Sequence, residues 1–149
     1  MTQGRTGIVT TRVRFGETDA AGIVFYPTFF AWFDMGTHAL VRGAAGDGAR
    51  DAQGRPRYSL AIVDCGASFS VPLFYDDEIA IRSTIVALGT SSVRIGHIVT
   101  RGDVEVARGF EARVLMRHDG DRFTSTPIPD ELRSYFIVDD TAPELASPG

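Results

Sequence analysis

The chain is 149 residues long, 44% hydrophobic and 23% charged, which suits one globular domain over residues 1–149 with a proper hydrophobic core. Its net charge of −4 speaks against general affinity for nucleic acid or an anionic membrane, and no apolar run approaches the ~18 residues of a membrane span. All 15 basic residues are arginine, so Schiff-base chemistry, which needs a lysine amine, is excluded as well.

In chain order, the opening MTQGRTGIVTTR lacks the charged-then-apolar order of a signal peptide, which makes the cytoplasm the expected location. Ile8 to Phe15 alternates as a first strand. Pro27 to about Arg42 has helical length, with Phe29, Phe30, Trp32, Phe33, Met35, Leu40 and Val41 spread around most of its circumference, so burial on nearly every side is expected. Residues 43–57 form a Gly-rich polar loop whose charges alternate in sign. Four strands rich in β-branched residues follow: Tyr58 to Val71, Glu78 to Leu88, Ser91 to Arg101 and Val104 to Arg117. The turns at Asp76-Asp77, Gly89-Thr90, Gly102-Asp103 and Asp119-Gly120 are short enough for an antiparallel meander. A short helix near Asp130 to Phe136 and a loose tail from Thr141 complete the chain. One buried helix and about five long strands imply an α+β fold, its antiparallel sheet wrapped around the helix.

The chemistry is concentrated in FGETDAAGIVFYPTFFAWFDMGTHAL, Phe15 to Leu40. Asp19 sits in a small-residue loop closed by Gly22, and Pro27 suits a first helical position. Val24, Phe25 and Tyr26 offer no N-capping side chain, so the first N–H groups of the helix have no evident local acceptor. A carbonyl oxygen gaining negative charge is the ligand such N–H groups and the helix dipole stabilise, with Asp19 close in sequence to attack it.

The order of strand, acidic loop, long apolar helix and four long strands resembles the hotdog fold. The motif FGETDAAGIVFYP resembles that of the 4-hydroxybenzoyl-CoA thioesterases, and the similarity continues through CGASF at Cys65 to Phe69, YDD at Tyr75 to Asp77, Ser92, His97 and GDV at Gly102 to Val104. Related thioesterases often carry His after the tyrosine; Pro27 here favours the aryl-CoA branch. The resemblance implies hydrolysis of an acyl-CoA thioester, most of all an aromatic one, with Asp19 as nucleophile or general base. It further implies that the backbone N–H of Tyr26 polarises the carbonyl, that no metal or other cofactor is used, and that the enzyme is a homotetramer, a dimer of dimers with sites at the dimer interface. Where the family carries CoA-binding basic residues this chain has Thr90 and Ser91, which leaves Arg94, Arg101 or the arginines of the 43–57 loop as candidates for the CoA phosphates.

The remaining residues divide between functional and bland readings. Expulsion of a thiolate, whose conjugate acid has a pKa of about 8.5, needs no separate general acid, so Glu17 is read as a solvated charge. Asp34 has two readings: contact with the distal end of an aromatic acyl group, since it lies ~12 Å along the helix from Tyr26, or an i, i+4 pair with His38. Ser92 is a candidate donor to a substrate or CoA carbonyl, Gly22, which closes the loop, a substrate-binding candidate, and Phe25 a wall of the acyl pocket. His38, His97 and His118 have no serine or cysteine nucleophile motif and no zinc-ligand spacing, so structural roles are expected. The lone Cys65, which excludes an intramolecular disulfide, reads as a small buried hydrophobe. Competing functions are an aliphatic acyl-CoA thioesterase, a non-catalytic acyl-CoA binding module, and a hotdog dehydratase, which would need a placed His.

Overall fold

A computed structural model describes residues 2–42 and 50–139; positions 43–49 of the polar loop and the tail from Thr141 lie outside the described residues. Its elements are β1 (Thr2–Gly4), β2 (Thr6–Arg12), α1 (Pro27–Val41), β3 (Tyr58–Phe69), β4 (Glu78–Leu88), β5 (Ser92–Arg101), β6 (Val104–Asp119), β7 (Arg122–Ser125), α2 (Asp130–Phe136) and β8 (Ile137–Asp139). Five long strands form an antiparallel sheet in the order β2-β4-β5-β6-β3, which curls around α1 as the expected hotdog arrangement. β7 adds a short strand to β6, while β1 and β8 form a separate two-stranded sheet that the sequence pattern did not suggest.

The meander runs from β4 through β5 and β6 to β7 and does not include β3. β3 pairs with β6 at the far edge, so the connection containing Asp76-Asp77 crosses to the other side of the sheet and is no hairpin. It is tied down by the Val24 N–H on the Leu73 carbonyl (2.9 Å) and by an antiparallel bridge between Ile23 and Phe74. The crossover therefore passes under the acidic loop and buttresses it.

Pro27 occupies the first turn of α1, where its missing N–H costs nothing. Phe29, Trp32, Phe33, Gly36, Thr37 and Leu40 are buried at helical spacing against the sheet. At Gly36 a Cβ would fall 2.2 Å from Ser83 Oγ, so only glycine lets α1 approach β4 this closely. The opposite face, Ala31, Asp34, Met35 and His38, is exposed. Burial on nearly every side is therefore corrected to burial of one face, because the sheet reaches around only half of the helix in a single chain.

Strict alternation sends Ile79, Ile81, Ser83 and Ile85 of β4, and Val93, Ile95, His97 and Val99 of β5, inward. The same period in β6 buries Glu111 and Arg113 between Ala107 and Leu115, two charges at core positions. Cys65 is exposed and not core, since β3 is an edge strand whose register shifts between Ile62 and Asp64; Ile62 and Val63 are open as well. Among the described residues no helix is long and apolar enough to cross a membrane.

Candidate active site

The acidic loop is built by backbone hydrogen bonds. The Asp19 N–H donates to the Ile23 carbonyl (2.9 Å) and the Gly22 N–H to the Asp19 carbonyl (2.9 Å), closing a turn in which Gly22 has φ of 82°. That left-handed conformation is strained for any residue with a Cβ. Asp19 Oδ1 accepts the Ala21 N–H (2.9 Å), so the turn-forming role of an aspartate is realised. Asp19 is nevertheless exposed, and its second carboxylate oxygen has no protein partner among the described residues. A pinned carboxylate with one free oxygen is suited to attack or to proton abstraction.

Glu17 is corrected from a solvated charge to a brace. Its Oε1 accepts the Arg14 N–H (2.7 Å), its Oε2 the Trp32 indole N–H (3.1 Å) and its carbonyl the Phe25 N–H (2.9 Å). Loop and helix are thus joined through one side chain, a contact across 15 residues that no local spacing rule announces.

At the start of α1 the Thr28 and Phe29 N–H groups fold back onto the Phe25 and Tyr26 carbonyls (2.9 and 3.1 Å), and Pro27 has no N–H. The Tyr26 N–H has no acceptor among the described residues. A free donor at a helix N-terminus, close in the chain to a carboxylate loop, has the chemistry to hold an oxygen that gains negative charge. Phe25 and Tyr26 are more than half exposed, and with Phe69 they form an aromatic cluster in which the Tyr26 ring meets both others (centroids 5.7 and 6.5 Å).

The chain belongs to the thioesterase-like superfamily. The profile of that family matches residues 13–136, the span from the acidic loop to the end of α2. The thioesterase is 32% identical over 124 residues to a 4-hydroxybenzoyl-CoA thioesterase of Pseudomonas sp. strain CBS-3, covering 79% of this chain and 88% of that one. It is 29% identical to a 1,4-dihydroxy-2-naphthoyl-CoA hydrolase of Synechococcus sp. strain CC9311, covering 80% and 83%. In structure it is similar to a 4-hydroxybenzoyl-CoA thioesterase variant complexed with 4-hydroxybenzoyl-CoA, with a TM-score of 0.77 at 28% identity over 89% of this chain and 99% of that one. A gentisyl-coenzyme A thioesterase matches with a TM-score of 0.73 at 30% identity, over 87% and 98%. This protein is accordingly an enzyme, a thioester hydrolase.

Other candidates of the thioesterase separate in space. Arg12 pairs with Glu78 in register, so the loop carrying Asp19 leaves from the first end of β4, whereas Arg94 pairs with Ala87 and Ser92 lies just past it at the far end, about 30 Å along the strand from Glu78 at ~3.3 Å per residue. Within one chain neither reaches Asp19. Arg94 lies over the Phe110 ring (4.2 Å), while Arg101 is on the Asp19 side, bound to Asp77 Oδ2 (3.0 Å) and so partly committed to the crossover. Within one chain the two arginines cannot share one phosphate.

Asp34 is half exposed and doubly paired. Its Oδ1 accepts from Arg113 Nη2 (2.8 Å), and its Oδ2 lies 3.4 Å from His38 Nε2, so the i, i+4 pair is present. Behind it Arg113 Nη2 also donates to Glu111 Oε2 (2.6 Å), and Glu111 Oε1 receives Thr37 Oγ1 and His97 Nε2 (2.9 Å). His97 Nδ1 meets Ser83 Oγ (2.7 Å), and its ring stacks on Phe33 (4.7 Å, 6°). Burial pushes the Glu111 carboxyl up, but the hydrogen bonds from His97, Arg113 and Thr37 outweigh it and hold it at about 2. This network was missed in the sequence, although the period of β6 already placed 111 and 113 with the inward set.

A cavity of about 470 Å³ opens beyond this network, between α1 and α2, lined by His38, Leu60, Arg113, Leu115, Leu132 and Phe136 among others. Asp19 and Tyr26 are not in its wall; they stand at the other end of α1. Among the described residues no three His, Cys, Asp or Glu side chains converge as a metal site.

Proposed function

We propose that this thioesterase hydrolyses an aromatic acyl-CoA whose ring carries a hydroxyl group. The observation that carries the reading is the unpartnered Tyr26 N–H at the start of α1 beside the pinned, half-free carboxylate of Asp19. In this mechanism the Tyr26 N–H and the helix dipole hold the thioester oxygen, and Asp19 attacks the carbon directly or takes a proton from the attacking water. The C–S bond breaks, and the CoA thiolate leaves without an acid because a thiol pKa of about 8.5 makes it a competent leaving group. The relatives act, by name, on 4-hydroxybenzoyl, dihydroxynaphthoyl and gentisyl thioesters, which supports a hydroxylated aryl group. A panel of kcat/KM values across aryl and aliphatic CoA esters tests this; a preference for aliphatic chains, or tight binding without turnover, sinks it.

In the same reading Asp34 accepts a hydrogen bond from the ring hydroxyl. Asp34→Ala is expected to lower kcat/KM for 4-hydroxybenzoyl-CoA by about tenfold and for benzoyl-CoA by less than about twofold. Equal losses return Asp34 to its pairs with Arg113 and His38.

The single chain leaves Ile62 and Val63 open on the edge strand β3, and Asp34, Met35 and His38 open on α1. An unpaired twelve-residue edge and an uncovered helix face support a second copy of the chain at this side, with the acyl group bound between protomers. Sedimentation is expected to show a dimer or a larger even oligomer, and a fully active monomer would remove the interfacial site. With arginine as the only cationic side chain that stays charged at any pH, CoA binding should weaken with salt; a KM for the CoA ester that is unchanged between low and high ionic strength would exclude an arginine-bound phosphate.

A further inference from the structure

Arg113 is almost wholly buried, yet it bridges the core carboxylate Glu111 and the half-exposed carboxylate Asp34. Its guanidinium is fixed at three points. Nη2 donates to Glu111 Oε2 (2.6 Å) and to Asp34 Oδ1 (2.8 Å), and Nη1 donates to the Leu60 carbonyl of β3 (3.0 Å). Glu111 is itself immobilised, since Thr37 and His97 occupy its other oxygen. The frame therefore runs without a break from Ser83 through His97, Glu111 and Arg113 to Asp34.

Two features argue that this frame serves more than stability. A buried ion pair loses several kcal/mol per ion in desolvation and is often matched by a well-packed apolar pair of similar volume. Here the exchange is also incomplete, because Arg113 Nε is buried with no acceptor among the described residues. An arginine chosen only to fill the core would not leave a donor unpaired while directing Nη2 at a carboxylate on the open face of α1. What that direction achieves is orientation. Asp34 Oδ1 is locked to the buried frame, and Oδ2 is left toward His38 and the open side of the helix.

We infer that Arg113, held by Glu111, is a positioning residue that fixes the Asp34 carboxylate so that Oδ2 accepts a hydrogen bond from a neutral hydroxyl on the acyl ring. The inference rests on the reading of Asp34 given above and adds the source of its selectivity. The recognised substituent is a hydrogen-bond donor; an anionic substituent at the same place would face a second carboxylate and be rejected.

The test uses the full chain and two esters, 4-hydroxybenzoyl-CoA and benzoyl-CoA, with the ratio of their kcat/KM values as the hydroxyl preference. The Glu111→Gln/Arg113→Met pair removes both buried charges together and so avoids a stranded ion. It is expected to lower the hydroxyl preference by about tenfold, leave benzoyl-CoA within about twofold of wild type, and add nothing further in an Asp34→Ala background. Arg113→Lys, which keeps the charge but lacks the planar fork that holds Nη2 on both carboxylates while Nη1 binds the Leu60 carbonyl, is expected to lose at least about threefold of the preference and serves as the reading if the pair does not fold. Loss on both esters alike, or an undiminished preference in a folded Arg113 variant, overturns the positioning role. If Asp34→Ala itself leaves the preference untouched, the assignment of Asp34 fails first, and the two failures are told apart by that single variant.

Discussion

Asp19→Asn is expected to fold, bind the CoA ester and lose roughly 10² or more in kcat, with KM little changed. The substitution keeps the shape of the side chain and its acceptance of the Ala21 N–H, so the turn around Gly22 survives. What disappears is the negative charge on the oxygen that has no protein partner among the described residues, the atom that in the proposed mechanism bonds to the thioester carbon or takes the proton of its attacking water. Under the proposed mechanism KM is insulated, because the CoA moiety would bind elsewhere and the carbonyl would still meet the Tyr26 N–H. A single turnover in ¹⁸O-water adds the mechanistic branch: label on the protein shows an anhydride at Asp19 hydrolysed at its carboxyl carbon. A variant that turns over near the wild-type rate would leave Asp19 as a turn residue and move the chemistry elsewhere.

The parts of this site that were legible in the sequence are those fixed by local rules. Pro27 sets the first turn of α1, small residues around Asp19 make its loop, and apolar alternation gives β3 to β6 nearly their observed bounds, whereas β2 runs Thr6–Arg12 in place of Ile8 to Phe15, with Phe15 opening a 3-10 turn. α2 falls at Asp130–Phe136 as the pattern implies. What was not legible depends on which strand lies beside which. Cys65 reads as core on its apolar neighbours, yet β3 is an edge because its partner is β6 and the β3–β4 link crosses over. Glu17 looks solvated until the fold carries Trp32 onto it. The separation of Ser92 and Arg94 from Asp19 follows from strand register, which no single segment encodes. Glu111 and Arg113 are the instructive case: their inward phase could be counted, but their mutual pairing and the reach to Asp34 needed α1 docked on the sheet.

That docking makes Glu111→Ala the substitution with the largest expected effect on stability. Glu111 is 2% exposed and joins Thr37 of α1 to His97 of β5 and Arg113 of β6, so its removal strands a buried guanidinium and leaves a cavity where the helix meets the sheet. Breaking one side of such a pair typically costs about 3–5 kcal/mol, and the contact remaining between Arg113 and Asp34 places the expectation toward the lower end. For a chain of this size that is a fall in Tm of roughly 10 °C. The pH dependence has a definite sign. The carboxyl is held at about 2 in the folded state against an ordinary value of 4.5, so the folded state binds the proton less readily than the unfolded one. Its contribution, on the order of 3 kcal/mol, is complete above 4.5 and is lost progressively as pH falls toward 2. Urea unfolding of wild type should therefore show stability declining over that interval, and Glu111→Gln, which keeps the size but cannot ionise, should lack that part of the slope. Parallel curves for the two proteins would mean that the Glu111 carboxyl titrates alike in the folded and unfolded states, so that its hydrogen bonds do no more than cancel the cost of its burial.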